Sequence, residues 1–404
     1  MKQTIHIYYV SISMAFVFIA ACNSVNETVD LSIYSTATSV SAGGSHTCAK
    51  LSGGTVKCWG SGDSGQLGNG STGTQSIPVS VSDISTVTSV SAGGDFTCAL
   101  LSGGTVKCWG RGSYGRLGNG STSTQSTPVS VSSISTATSV SAGGSHTCAV
   151  LSGGTVKCWG SGYSGQLGNG STSDQSTPVS VSDISTATSV SAGGNFTCAV
   201  LSGGTVKCWG SGNYGRLGNG STSDQSTPVS VSGISTATSV SAGDAHTCAV
   251  LSGGTVSCWG YGNYGRLGNG ITCERMWCSI TSSQSTPVSV SGISTATSVS
   301  AGATHTCVVL SGGTVKCWGK SYSGQLGNGD YHGGHSTTDT QSTPVSVSSL
   351  STATSVSGGG YHTCAVLSGG TVKCWGSGDS GQLGNLLCYP FFCTQTTPIG
   401  VLGF

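Results

Sequence analysis

Short apolar runs alternate with Gly, Ser and Thr along most of the chain, in a pattern that returns seven times. One copy, residues 137–182, reads TATSVSAGGSHTCAVLSGGTVKCWGSGYSGQLGNGSTSDQSTPVSV, and the first four steps from copy to copy are fifty residues each. Repeats of this length are single supersecondary units whose faces are buried by their neighbours. Within each, TSVSAG alternates and then breaks at glycine, HTCAVL and TVKCWG are short strands joined by SGG, and TPVSV is a fourth strand after a polar loop. The SGG glycines supply the positive φ that a hairpin loop needs. Four-stranded units repeated radially predict an all-β protein, a seven-bladed β-propeller with about four antiparallel strands per blade, over residues 36–404.

Composition changes this picture little. Gly, Ser and Thr are abundant, only 7% of the 404 residues are charged and the formal net charge is +1. Regularly spaced Val, Leu, Trp and Cys supply enough apolar surface to exclude a disordered linker. A net charge so small gives no overall basic field, so nucleic acid is not an expected partner. No Ser/His/Asp set, P-loop or metal-spaced carboxylate group recurs, and the GNG of GQLGNG is a turn, since neither Lys-Ser/Thr nor a helix follows it. Trp59 and its six counterparts, each followed by glycine, read as packing. So do His46, His146, His246, His305 and His362, because Phe96 and Phe196 fill the same position in two repeats and Phe is neither a ligand nor a base. No cofactor, metal or catalytic residue is expected.

The cysteines set the compartment. Seven pairs lie ten residues apart: Cys48/Cys58, Cys98/Cys108, Cys148/Cys158, Cys198/Cys208, Cys248/Cys258, Cys307/Cys317 and Cys364/Cys374. With the hairpin centred on Gly53, Cys48 falls opposite Cys58, within disulfide range. Cys273/Cys278 and Cys388/Cys393 lie five apart and are expected to form disulfides within their loops, with zinc as the alternative, leaving Cys22 as the nineteenth. Residues 1–21 carry Lys2, an apolar stretch from Val10 to Ile19 and then small residues, the layout of a secretory signal. The junction Ile19-Ala20-Ala21-Cys22 resembles the lipobox of bacterial lipoproteins, which implies an acylated Cys22 as mature terminus and residues 22–35 as tether. Simple secretion or a retained anchor are the alternatives. Asn23 in place of Asp favours outer membrane or cell surface over inner membrane in that family.

The run GGSHTCAVLSGGTVKCWGSGYSGQLGNG at 143–170 resembles the repeat of the regulator of chromosome condensation family, with its G-x-x-H-T, G-x-V-x-x-W-G and G-x-L-G-x-G elements, in particular its cysteine-bearing bacterial members. The resemblance covers roughly residues 36–402 and implies the propeller fold. The family's nuclear founder exchanges nucleotide on a small GTPase and docks on nucleosomes, which a signal peptide and near-zero charge argue against. Other members bind proteins through loops at one end of the propeller, among them a secreted bacterial inhibitor of β-lactamase.

Binding is sought where the repeats differ. The fifth inserts Ile271 to Ser282, the sixth Asp330 to His335 and the seventh Leu386 to Cys393, all in the loop before TPVSV or its counterpart. Loops at equivalent positions emerge on one rim, so these three are neighbours and offer Arg275, Met276, Trp277, Tyr331, His332, His335, Tyr389, Phe391 and Phe392. Aromatics with Arg and Met are the composition of interface hot spots; packing of the inserts on the rim is the alternative. A second row follows W-G: Arg111, Tyr114, Arg116, Tyr214, Arg216, Tyr261, Tyr264 and Arg266, which either line a shared surface for a sugar or acidic partner or, the preferred reading, are simply solvated loop residues. The expectation is a lipid-anchored envelope module that binds a protein or glycan partner and is not an enzyme; an envelope lyase or hydrolase, or a protein inhibitor, is the alternative. Cys22→Ser is expected to leave the fold intact and release the protein from membranes, checked by fractionation after a salt wash; a variant that still sediments with membrane rules out the lipid as anchor.

Overall fold

The computed structural model describes residues 36–271, 282–330, 340–386 and 393–404. It contains seven four-stranded antiparallel sheets, each made of consecutive strands. In the first blade these are β1 (Ala37–Ala42), β2 (His46–Leu51), β3 (Val56–Gly60) and β4 (Gln75–Ser80). Blades two to seven repeat the order over residues 87–130, 137–180, 187–230, 237–289, 296–346 and 353–400. The fold is therefore the propeller expected from the repeats. It closes without exchanging a strand: Ala37 N–H donates to Gly370 O at 3.0 Å, and the Phe404 ring lies 5.7 Å from that of Trp59.

The hairpin symmetry of the cysteines holds in every blade. Cys48 pairs in register with Cys58 across β2 and β3 and is bonded to it, with Cα atoms 4.1 Å apart. Cys98 is bonded in the same way to Cys108, Cys148 to Cys158 and Cys198 to Cys208, each pair again directly opposed and 4.1 Å apart. Cys248 with Cys258, Cys307 with Cys317 and Cys364 with Cys374 complete the set at the same spacing. Cys273, Cys278, Cys388 and Cys22 lie outside the described residues; Cys393 is disulfide-bonded.

Apolar packing is divided among seven seams. At the second, Cys98, Leu100, Val106, Cys108 and Leu117 of blade two close on Ala149 and Trp159 of blade three. A buried indole N–H needs an acceptor. Each tryptophan takes one from the preceding blade: Trp109 Nε1 donates to Gln66 O at 2.9 Å, Trp159 to Arg116 O at 3.0 Å, and Trp59 to Gln382 O at 2.9 Å, closing the ring. The same carbonyl also accepts the hydroxyl of the threonine paired across from the tryptophan, as Thr97 to Gln66 O at 2.9 Å. Gly68, two residues past Gln66, has φ +69, and a Cβ there would stand 2.6 Å from the Trp109 indole. The glycine of GQLG is thus the floor on which the next blade's tryptophan rests.

Inner strands of neighbouring blades are linked by side chains and turns. Ala92 N–H donates to Ser41 Oγ at 2.9 Å, and the equivalent bond recurs at every seam. At the channel mouth, backbone bonds run from each glycine turn to the next, from Gly44 N–H to Gly93 O at 3.0 Å around to Gly360 N–H to Gly43 O at 3.1 Å. The abundant Ser and Gly are in this way the connectors of the ring.

The histidines complete the joint. His46 Nε2 lies 2.9 Å from Thr97 Oγ1, and four other histidines contact a threonine of the next blade in the same way. The threonine proton is committed to the carbonyl, so Nε2 carries the hydrogen and donates, leaving Nδ1 bare and without a partner. Burial lowers the imidazole pKa to about 4 for His46 and about 3 for His146, His305 and His362, and well below the usual value for His246. Because the folded values lie below the unfolded value of 6.5, the unfolded chain binds more protons in acid. Stability is fully present above the unfolded pKa and is lost as pH falls through it toward 3–4. At pH 5 each histidine should subtract about 2 kcal/mol. Denaturant unfolding at pH 7 and pH 5 is expected to show His146→Phe relieved of about that share of the acid loss, since Phe96 and Phe196 already occupy the position.

Candidate functional site

The direction of the strands gives the propeller two unlike faces. The turns after the first strands and the long connections between third and fourth strands share one, the loop face; the SGG hairpins and the links between blades share the other, the hairpin face. Every tyrosine among the described residues belongs to the loop face: Tyr114, Tyr163, Tyr214, Tyr261, Tyr264, Tyr322 and Tyr361. All but Tyr261 are exposed, Tyr163 to 83%. The bonded cysteines of the hairpins reach neither face. Cys108, Cys158, Cys208, Cys258, Cys317 and Cys374, like Cys58 and the cysteines they are bonded to, are fully buried between sheets. Their part in the site is to brace the strands that carry its loops, and they present no sulfur to a ligand or a metal.

The row after W-G splits into two kinds of side chain. Arg116, Arg216 and Arg266, expected to line an open surface, are instead buried. Arg116 Nε donates to Ser113 O at 3.0 Å and Nη1 to Gly144 O in the next blade at 3.1 Å. Its guanidinium lies between two rings, 5.6 Å from Phe96 and 5.5 Å from Tyr114, and Arg216 repeats this with Phe196 and Tyr214. In blade five, where His246 replaces Phe, Tyr261 supplies the second ring at 4.8 Å from Arg266. Burial lowers the Arg266 pKa to about 10, so it stays charged at neutral pH, held by carbonyls and π faces.

Two loop types follow. Blades two, four and five carry Tyr and Arg, with the tyrosine in the left-handed region at φ 65, 63 and 63. Blades one, three, six and seven carry Ser and Gln, where the glutamine amide oxygen accepts the serine N–H at 2.8 Å. A tyrosine at positive φ costs about 1–2 kcal/mol, which the Arg sandwich offsets. The signal was present in the sequence as a linked change, Tyr with Arg and Ser with Gln, and was missed because the row was treated as one surface.

Over blades five to seven the Lys320 amine sits above the rings of Tyr264, Tyr322 and Tyr361, at 5.0, 5.3 and 6.0 Å. At described ends of two inserts, Ser282 Oγ donates to Asn263 Oδ1 at 2.9 Å, and Cys393 N–H to Asp379 Oδ1 at 2.9 Å. The expected insert residues Arg275, Met276, Trp277, Tyr331, His332, His335, Tyr389, Phe391 and Phe392 lie outside the described residues. Across the ring, Tyr114, Tyr163, Gln166, Asp174 and Asn195 line an open cleft of about 470 Å³. Arg111 pairs with Asp95 at 3.3 Å on the surface, a contact of little energetic weight.

Two family models, both described as Regulator of chromosome condensation (RCC1) repeat, match the chain. One matches six stretches between residues 53 and 366, the other seven, from 37–66 to 353–382. The protein belongs to the RCC1 repeat family. Among solved structures, yeast RCC1 (Prp20), in its complex with Kap60, is similar with a TM-score of 0.74, 20% identity and coverage of 99% of this chain and 91% of that one. Human WBSCR16 is similar with a TM-score of 0.73, 21% identity and coverage of 86% and 93%. These likenesses establish the fold. The E3 ubiquitin-protein ligase MYCBP2 of Danio rerio is 34% identical over 109 residues, 27% of this chain and 2% of that protein. The chain thus spans a small fraction of that relative.

Arg216→Ala, which leaves Asn213 O and Asp244 O unpaired, should cost about 2–3 kcal/mol in denaturant unfolding. The exchange of Phe196→His, Tyr214→Ser and Arg216→Gln together, which recreates the other loop type, should recover most of that loss.

Proposed function

We propose that this protein is an exported, lipid-anchored binding module that presents the loop face over blades five to seven to a protein partner, and that it acts by recognition rather than catalysis. The observation that carries this reading is the gathering of every described tyrosine on one face, with Lys320 set over Tyr264, Tyr322 and Tyr361 on the same face. Exposed tyrosines on a rigid scaffold supply contact area at small entropic cost. The seven hairpin disulfides accord with an oxidising compartment, and the sequence at Cys22 accords with acylation in the bacterial envelope. Yeast RCC1 is a propeller of this fold found in complex with Kap60, so partner binding is within the scaffold's repertoire; nucleotide exchange is disfavoured by the export signal. The loop-face cleft favours a second reading, a glycan partner, since Tyr114 and Tyr163 beside Asp174 and Asn195 can stack on a pyranose and bond its hydroxyls.

The test is capture of partners from envelope extract by tagged mature protein. Trp277→Ala, Phe391→Ala with Phe392→Ala, and Lys320→Ser with Tyr361→Ser should each weaken capture by about 2 kcal/mol or more, leaving thermal stability unchanged. Serine is the native residue at both equivalent positions of blade one, Ser61 and Ser45. Tyr163→Ser should be silent for a protein partner and should abolish binding to a glycan panel if the second reading holds. Insert variants that unfold while retaining binding per folded molecule would show a cap rather than a binding surface.

A further inference from the structure

The small net charge of the chain conceals a separation by face. Lys57, Lys107, Lys157, Lys207, Lys316 and Lys373 occupy one position, the second residue of the third strand, in six of seven blades; Ser257 fills it in the remaining one. That residue lies next to the SGG hairpin, and the amines of Lys107 and Lys207 reach the links between blades. Lys107 Nζ donates to Asp83 O at 3.3 Å, Lys207 Nζ to Asp183 O at 3.4 Å, and Lys57 Nζ lies 5.7 Å from the Phe404 ring centroid. These contacts are to carbonyls and a ring, and the one ion pair among the described residues is Arg111 with Asp95 on the opposite face. Among the described residues, the hairpin face therefore carries a ring of lysines, joined by Lys50, against two aspartates, Asp83 and Asp183. The loop face holds Asp63, Asp95, Asp174, Asp224, Asp244, Asp330 and Asp379, with Arg111 and the half-buried Lys320 as its accessible cations.

We infer that the hairpin face docks on an anionic lipid surface, so that the tyrosine-bearing loop face points away from the membrane. Charge complementarity is the first argument: an arc of half-exposed amines from six of the seven blades, around a broad face, matches a plane of headgroup phosphates, and each such lysine adds to binding within a Debye length. The path of the chain is the second. Ala37, the first residue of β1, bonds Gly370 in the hairpin of blade seven, so the described chain begins on the lysine face. The orientation rests on the reading of Cys22 as lipid attachment; the charge separation does not. Lipid attachment at Cys22 and electrostatic docking of the lysine face then act together, and the opposite face is left clear for a partner.

The experiment uses full-length Cys22→Ser protein, which separates lysine docking from acylation. It is sedimented with phosphatidylcholine vesicles with and without phosphatidylglycerol, at low and at physiological salt. The expected result is binding that requires phosphatidylglycerol and weakens with salt. The triple variant Lys107→Ser, Lys157→Ser, Lys207→Ser should bind about tenfold or more weakly, with unchanged thermal unfolding because Ser257 already fills this position in the fold. Equal binding to neutral and anionic vesicles, or a folded triple variant that binds as well as its parent, overturns the inference. So does binding to duplex DNA without binding to anionic vesicles. Failure here leaves the anchor reading to its own test, since that reading concerns acylated wild-type protein after a salt wash.

Discussion

One backbone carbonyl per blade holds this molecule together. The carbonyl of Gln66, and of its counterparts around the ring, receives both the indole N–H and the threonine hydroxyl of the following blade. Each sheet relies on its predecessor to satisfy its tryptophan, so no blade is complete without the one before it, and the requirement passes around the ring until Trp59 reaches Gln382. The rest of the repeat serves this joint. The glycine after the leucine makes room for the indole, the turn before it aims the carbonyl, and the histidine donates to the threonine that shares the acceptor.

The joint also explains why the loops above it differ in two coordinated ways. The residue that supplies the carbonyl is either glutamine or arginine, and its side chain must be housed on the loop face beneath solvent. Glutamine folds back onto a serine N–H, whereas arginine crosses to the next blade's carbonyl and needs aromatic rings on both sides of its charge. Tyrosine at positive φ is the outcome in three blades. Exposed aromatic surface on this face is in part a consequence of how a buried cation is accommodated.

The two faces are consequently unlike in chemistry as well as in shape. Tyrosines and most of the described aspartates stand on the loops, while lysines stand beside the hairpins at the side where the chain enters. A propeller with such polarity can present one face to a partner while the other rests against a charged surface, with no conformational change required.

Much of the fold was legible in the sequence because its determinants are local and repeated. A fifty-residue period, a glycine-centred hairpin and cysteines equidistant from its centre specify strand number, register and disulfide pairing within each blade, and antiparallel order alone puts the described ends of the three insert-bearing loops on one rim. The identity of each tryptophan's acceptor was not legible, because it lies in the preceding repeat and depends on how blades pack. Arg116, Arg216 and Arg266 were misjudged as surface residues for the same reason: their partners, Gly144 O, Asp244 O and Ala303 O, belong to the next blade. Summed charge concealed the lysine ring, since a sum along the chain is blind to direction. Only when alternate strands run up and down the blade do Lys57 and Asp63, six residues apart, come to stand on opposite faces.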